Sequence, residues 1–140
     1  MKVYLDYAAS TPMSKEVISE IERNYNFFGN PSSPHSFGEK ANEILESSRK
    51  KIAQVLKVKP GEIFFTSSGT ESINLAVFGV ARASLADSRR ANKKTGKHII
   101  TSNIEHLAVL NSCKKLEREG FKVIYIKAKK DGIIMPQDVE

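Results

Sequence analysis

A single cysteine, Cys113, stands in the 140 residues. One thiol excludes an intramolecular disulfide framework and leaves no cysteine cluster for zinc, the usage expected of a reducing compartment. No metal site is expected. Long apolar runs are also missing, the longest being a few residues where a membrane-spanning helix needs about 20. The chain goes straight into VYLDYAAS without a signal-peptide pattern, so the expected location is cytoplasmic, with no membrane partner. Acidic residues are in short supply, 16 against 22 Lys and Arg, for a net charge of +6. That excess invites a nucleic-acid reading. Its distribution argues against one, because Arg82, Arg89, Arg90, Lys93, Lys94 and Lys97 fall mostly in one polar segment with few aromatics for base stacking. A solvated basic connection is the expectation, with no nucleic-acid partner. The remaining composition, 40% apolar and 27% charged, is that of one compact globular domain.

Along the chain, Val3 to Leu5 reads as a short extended segment that turns at Ala8 to Pro12. Ser14 caps a helix to about Tyr25, with Val17, Ile18 and Ile21 on one side. The run Phe28 to Pro34 packs Gly29, Asn30, Pro31, Ser32, Ser33 and Pro34 together and is a loop on turn chemistry alone. A long amphipathic helix follows, with Ala41, Ile44, Leu45, Ser48, Ile52, Val55 and Leu56 recurring at helical spacing. Pro60-Gly61 ends it. Strands are expected at Glu62 to Thr66, Lys97 to Ser102 and Lys122 to Lys127. Helices are expected from the small-residue turn to roughly Leu85 and from Leu107 to Glu119, with a polar, basic connection from Ala86 to Gly96. Strands alternating with helices imply α/β architecture with a mostly parallel sheet flanked by helices. At the end, Met135 to Glu140 carries Pro136 at a first helical position and acidic residues in a first turn. A helix starts there, so the chain is expected to be the front portion of a longer protein. A sheet cut after its third strand leaves an unpaired edge, and the isolated chain is expected to be aggregation-prone or only marginally folded.

The most informative run is FFTSSGTESINLAVFG, Phe64 to Gly79, which reads as a strand, a small-residue turn and a helix start. First-turn N–H groups lack partners and the macrodipole leaves about +0.5 charge, so a phosphate is favoured there. Gly69 lets the backbone approach closely, and the hydroxyls of Ser67, Ser68 and Thr70 add donors. The same residues also suit a plain helix cap, with Glu71 or Ser72 inside the first turn. Downstream, Thr101-Ser102-Asn103-Ile104-Glu105-His106 lies at the C-terminal edge of another expected parallel strand, where ligands bind in open α/β sheets. His106 is therefore expected on the rim that holds Gly69 and Thr70. An imidazole there suits structural hydrogen bonding, and equally stacking on a flat ring with proton transfer near neutral pH.

Five blocks in order, VYLDYAASTP, GNPSSPHSFG, EIFFTSSGTESINLAVFG, GKHIITSNIEHLAVLNSCKKLEREGF and DGIIMPQDVE, span nearly the whole chain. Together they resemble the N-terminal part of a cysteine desulfurase of the NifS/IscS type, within the aminotransferase class V group of pyridoxal 5'-phosphate enzymes. The resemblance implies the N-terminal portion of the large domain of a fold-type I enzyme. Residues 1–13 would join the small domain of the full enzyme, and 14–140 would be a partial large, cofactor-binding domain, truncated at a helix start. It implies that Gly69 and Thr70 hold the cofactor phosphate, and that His106 lies over the pyridine ring and assists proton transfers. Asn30 to His35 matches a segment near the active-site entrance. Where the family commonly has Ser-Gly-x-Thr-Glu, this chain has Ser67-Ser68-Gly69-Thr70-Glu71, so one glycine is replaced by Ser68, and the basic connection from Ala83 to Thr95 is longer than usual.

The implied activity converts L-cysteine to L-alanine and leaves persulfide sulfur on an enzyme cysteine, for iron–sulfur cluster or thiocofactor assembly. The implied partners are the L-cysteine substrate, a sulfur-acceptor or iron–sulfur scaffold protein, and a second copy in a homodimer at full length. The lysine that binds the cofactor and the attacking cysteine belong to motifs beyond Glu140, and Cys113, mid-helix in AVLNSCKKLE, reads as a packing thiol. The chain alone is therefore expected to be inactive. Two alternatives stand beside this: a complete but non-catalytic remnant or basic interaction module, and another class V aminotransferase-type enzyme.

Overall fold

The computed structural model describes residues 1–90 and 97–139, with backbone alone from 84 to 90. They form two compact units, Met1–Phe64 and Phe65–Glu140.

In the first unit the N-terminal segment is extended without a ladder partner. It turns slightly earlier than expected, at Tyr7 to Ala9, where the Ala9 N–H donates to the Asp6 carbonyl at 3.1 Å. The first helix, α1, is Lys15–Asn24, and Ser14 caps it as expected by accepting the Val17 N–H. Its apolar side, Val17, Ile18 and Ile21, stays largely exposed.

The loop before α2 (Ser36–Leu56) is built on Asn30. The Asn30 side chain accepts the Ser32 N–H at 2.9 Å and its carbonyl accepts the Ser33 N–H at 2.9 Å, a fold-back that asparagine favours. His35 then caps α2, its Nδ1 accepting the Gly38 N–H at 3.3 Å. Gly29 and Gly38 let loop and helix touch through bare backbone. A Cβ on Gly38 would overlap the Ser33 carbonyl and come 2.8 Å from the Asn30 carbonyl, and one on Gly29 would overlap the Phe37 carbonyl. The far end of α2 closes on Lys57, held left-handed at φ 56° with its N–H turned back to the Ala53 and Gln54 carbonyls.

The expected strand at Glu62 to Thr66 does not form. Pro60–Glu62 is a 3-10 turn, and from Ile63 onward the backbone is extended with no neighbouring strand among the described residues. Ile63, Phe64 and Phe65 supply β propensity, yet a strand exists only when paired. Instead the Ile63 carbonyl accepts from the Arg49 guanidinium.

The second unit is helix–strand–helix–strand. It comprises α3 (Gly69–Arg90), β1 (His98–Ser102), α4 (Leu107–Arg118) and β2 (Lys122–Ile126). The two strands pair in parallel, His98 with Lys122 through Ser102 with Ile126, which makes β1–α4–β2 a βαβ unit. The α/β class with a parallel sheet flanked by helices is therefore observed, with two strands in place of three. Helix α3 runs past the expected Leu85 to Arg90, so the start of the expected basic connection is helical, and residues 91–96 lie outside the described residues. Pro136–Asp138 makes the expected helix start, as one 3-10 turn.

Ala81, Leu116 and Phe121 form the core of this unit, with Val77, Phe78, Ile99 and Val123 packed against it. Alternation turns Ile100 and Ile124 to the other sheet face, where they remain 44% and 39% exposed.

The Gly29–Gly38 contact gives a direct test. Gly38→Ala should destabilise the first unit by about 1–3 kcal/mol, because the new methyl meets rigid backbone rather than a movable side chain. Denaturant unfolding followed by hydrogen exchange of α2 amides should show the loss, whereas Gly61→Ala, where the added carbon meets open space, should not.

Candidate functional site

The site candidates lie at the N-terminal ends of α3 and α4. At α3 the turn residues satisfy some of the helix's orphan donors and leave others. Ser68 caps the helix, its Oγ accepting the Glu71 N–H at 3.2 Å and its carbonyl the Ser72 N–H at 3.0 Å. Glu71 reaches back, its carboxylate accepting the Ser67 N–H at 2.7 Å and the Ser67 hydroxyl at 2.6 Å. Thr66 closes the turn from the other side by donating to the Ser68 carbonyl and pairing with the Ser72 hydroxyl.

The plain-cap reading of this motif is thus correct for Ser68, but it does not exhaust the turn. Gly69 and Thr70 are the first two residues of α3, whose N–H groups have no acceptor within the helix, and no other described residue accepts from them. Both are exposed. Nothing lies within 4 Å of the point where a Gly69 Cβ would stand, so a ligand can come right up to this backbone.

At α4 the cap is His106 itself, exposed, with Nδ1 accepting the Ala108 N–H at 3.1 Å. A neutral imidazole that accepts at Nδ1 carries its proton on Nε2, and that nitrogen remains for a ligand. The loop before it is tied down in three places. The Ser102 hydroxyl bonds the Glu105 carboxylate at 2.8 Å, the Asn103 N–H donates to the Ile126 carbonyl at 2.9 Å, and the Asn103 side chain accepts the Ala128 N–H at 2.9 Å.

The two helix starts are level. Three contacts cross from α3 to α4: Asn74 with Ser112, Phe78 with the Lys115 ammonium, and Arg82 with Glu119. The first pair is separated by 38 positions, and the separation holds within one residue for the other two, so the helices run parallel and in register. Stepping the same separation back to the starts pairs cap with cap, Ser68 with His106. Packed helices lie about 8–10 Å apart where they touch, and both of these positive helix ends point the same way. Gly69 and Thr70 therefore open one, and His106 caps the other, of two neighbouring parallel helices.

Cys113 does not join them. It is 1% exposed inside α4, and burial, with Glu117 and Glu105 nearby, pushes its thiol up. Sequence reasoning missed the Asn74–Ser112 pair. The signal was present as a serine within the apolar stripe Ala108, Cys113 and Leu116 of α4.

The family model described as aminotransferase class-V matches residues 3–140. Cysteine desulfurase IscS of Dictyoglomus turgidum is 45% identical over 140 residues, covering 99% of this chain and 34% of that protein. Among solved structures, a NifS-like protein superposes with a TM-score of 0.80 at 39% identity, over 99% of this chain and 36% of its own. SspA in complex with cysteine does so with a TM-score of 0.81 at 42% identity, over 97% and 37%. The chain spans about a third of the length of the relatives it matches.

Two measurements check this geometry. Ser67 holds the Glu71 carboxyl below the usual glutamate range, through its hydroxyl first and its N–H second. A depressed folded value means that the clasp's stabilisation is complete above the ordinary range and is lost as pH falls through the depressed one. Carbon NMR titration should place Glu71 below ordinary glutamates, and Ser67→Ala, which removes the hydroxyl and keeps the N–H, should raise it part of the way back. Ellman's reagent should leave Cys113 unmodified in the folded chain and modify it fully in denaturant. Fast native reaction would contradict its burial.

Proposed function

The chain belongs to the aminotransferase class-V family, and from that premise we propose that it carries part of the active centre of a pyridoxal-phosphate cysteine desulfurase. The observation that supports the reading is the parallel register of α3 and α4, which aligns a helix start bearing two unclaimed N–H donors with one capped by an exposed imidazole. The residues suit the coenzyme. A phosphate would take the Gly69 and Thr70 N–H groups and the Thr70 hydroxyl at the positive end of α3. His106, anchored through Nδ1, would present Nε2–H toward the ring and hold a proton at that atom. Bound there, the coenzyme supplies an electron sink for charge that develops at the α-carbon of an amino-acid substrate.

L-cysteine is the proposed substrate, supported by the cysteine desulfurase relatives and by the likeness to SspA solved with cysteine. In the overall conversion the C–S bond of cysteine breaks, alanine leaves, and sulfur passes to an enzyme thiol as a persulfide. Cys113 does not serve as that thiol, being buried in the core of its unit. The reading includes a sulfur-acceptor or iron–sulfur scaffold protein as recipient, homodimeric assembly of the whole enzyme and a cytoplasmic location.

The test uses deoxypyridoxine phosphate, a coenzyme analogue without the aldehyde, which therefore does not react with lysines. Titrated into the nitrogen-labelled chain, it should shift the Gly69 and Thr70 amides and the His106 ring. Pyridoxine, lacking the phosphate, should not move the amides. Thr70→Ala should weaken the analogue about tenfold, the effect of one hydrogen bond to a charged group. Unmoved amides at Gly69 and Thr70 would end this reading.

A further inference from the structure

A series of contacts, hydrogen-bonded and covalent, joins the two helix starts. The His106 Nδ1 accepts from the Ala108 N–H at 3.1 Å. The Ser112 hydroxyl shares its single proton between two acceptors, the Ala108 carbonyl at 2.8 Å and Asn74 Oδ1 at 3.1 Å. Asn74 Nδ2 then donates to the Thr70 carbonyl at 2.7 Å. The series runs from the imidazole through the α4 backbone, across the interhelix contact and into the first turn of α3.

Ser112 is 3% exposed among apolar neighbours, its hydroxyl held by the Ala108 carbonyl of its own helix and shared across the contact with Asn74. Asn74 is a weak helix former inside a long helix. Apolar side chains of similar size would fill this contact and leave the helices free to slide by fractions of an ångström. A polar pair with fixed donor and acceptor directions selects one register, as a buried asparagine does between coiled-coil helices. Asn74 does this while pulling on the carbonyl of Thr70.

We propose that Ser112 and Asn74 are positioning residues that fix the spacing between the Gly69–Thr70 phosphate seat and the His106 ring. The proposal rests on the pyridoxal-phosphate reading of the site. It requires that the pair matter for a ligand touching both helix starts and not for one touching α3 alone.

Inorganic phosphate and deoxypyridoxine phosphate supply those two ligands. Ser112→Ala and Asn74→Ala should leave inorganic phosphate affinity at the Gly69 and Thr70 amides within about twofold. They should weaken deoxypyridoxine phosphate about tenfold, the scale of one lost contact. Ser112→Thr, which keeps the hydroxyl, should restore the unaltered ratio. Near-ultraviolet circular dichroism identifies any variant that fails to fold, and the half-buried Asn74 position carries the test if Ser112→Ala is lost. Equal weakening of both probes, or of neither, overturns the positioning role while the site reading stands. An unaltered chain that binds phosphate and analogue equally well, or binds neither, removes the site reading itself.

Discussion

An α-helix begins with more N–H donors than its own chain can satisfy, and the second unit is organised around two such beginnings held side by side. Each is partly quenched by its own sequence. Ser68 serves α3, His106 serves α4, and Glu71 and Glu105 are drawn onto Ser67 and Ser102. What remains unquenched is a small set of donors at Gly69 and Thr70 and one ring nitrogen of His106. Parallel packing of α3 on α4 sets those remainders at the same end of the unit. With the helices antiparallel, the same residues would sit at opposite ends of the unit and the positive ends would no longer add.

The apolar core supplies the force for this packing and little of its exactness. Leu116 is fully buried, and Ala81, Phe121, Val77 and Phe78 close around it, which stabilises contact between the helices without selecting one axial offset. The polar pair Asn74–Ser112 and the outer Arg82–Glu119 ion pair, at 3.9 Å, add direction. The ion pair is exposed and worth little. The contact between Asn74 and Ser112 sets the register more sharply, because misalignment takes the half-buried Asn74 Oδ1 away from its donor while Ser112 keeps the Ala108 carbonyl.

Much of this was legible in the sequence because it is local. Ser14 before an apolar-periodic stretch, the Pro60-Gly61 break, the small residues ahead of α3 and the strand runs from Lys97 and Lys122 each state their structure within a few residues, and all appear where expected. The failures are non-local. Ile63 to Phe65 has every local mark of a strand, yet no strand ladder forms there among the described residues. The residues after Leu85 lose apolar periodicity yet keep good helix formers, so α3 continues where a core-facing pattern would have ended it. Asn74 and Ser112 become a pair only once two helices pack in parallel, which no short window of residues announces. The aminotransferase class-V match then ties the separate blocks into one family, over a chain that spans about a third of its relatives' length.

The burial of Cys113 has a chemical side. Sulfur carried as a persulfide passes to whatever thiolate it meets, and soft metals and oxidants seek the same group. This chain offers them none, since its one sulfhydryl is walled in by α4's own neighbours and kept in its unreactive, protonated form. Under the proposed sulfur-transfer reading, persulfide cargo would therefore find no accessible thiol on this part of the enzyme to divert it.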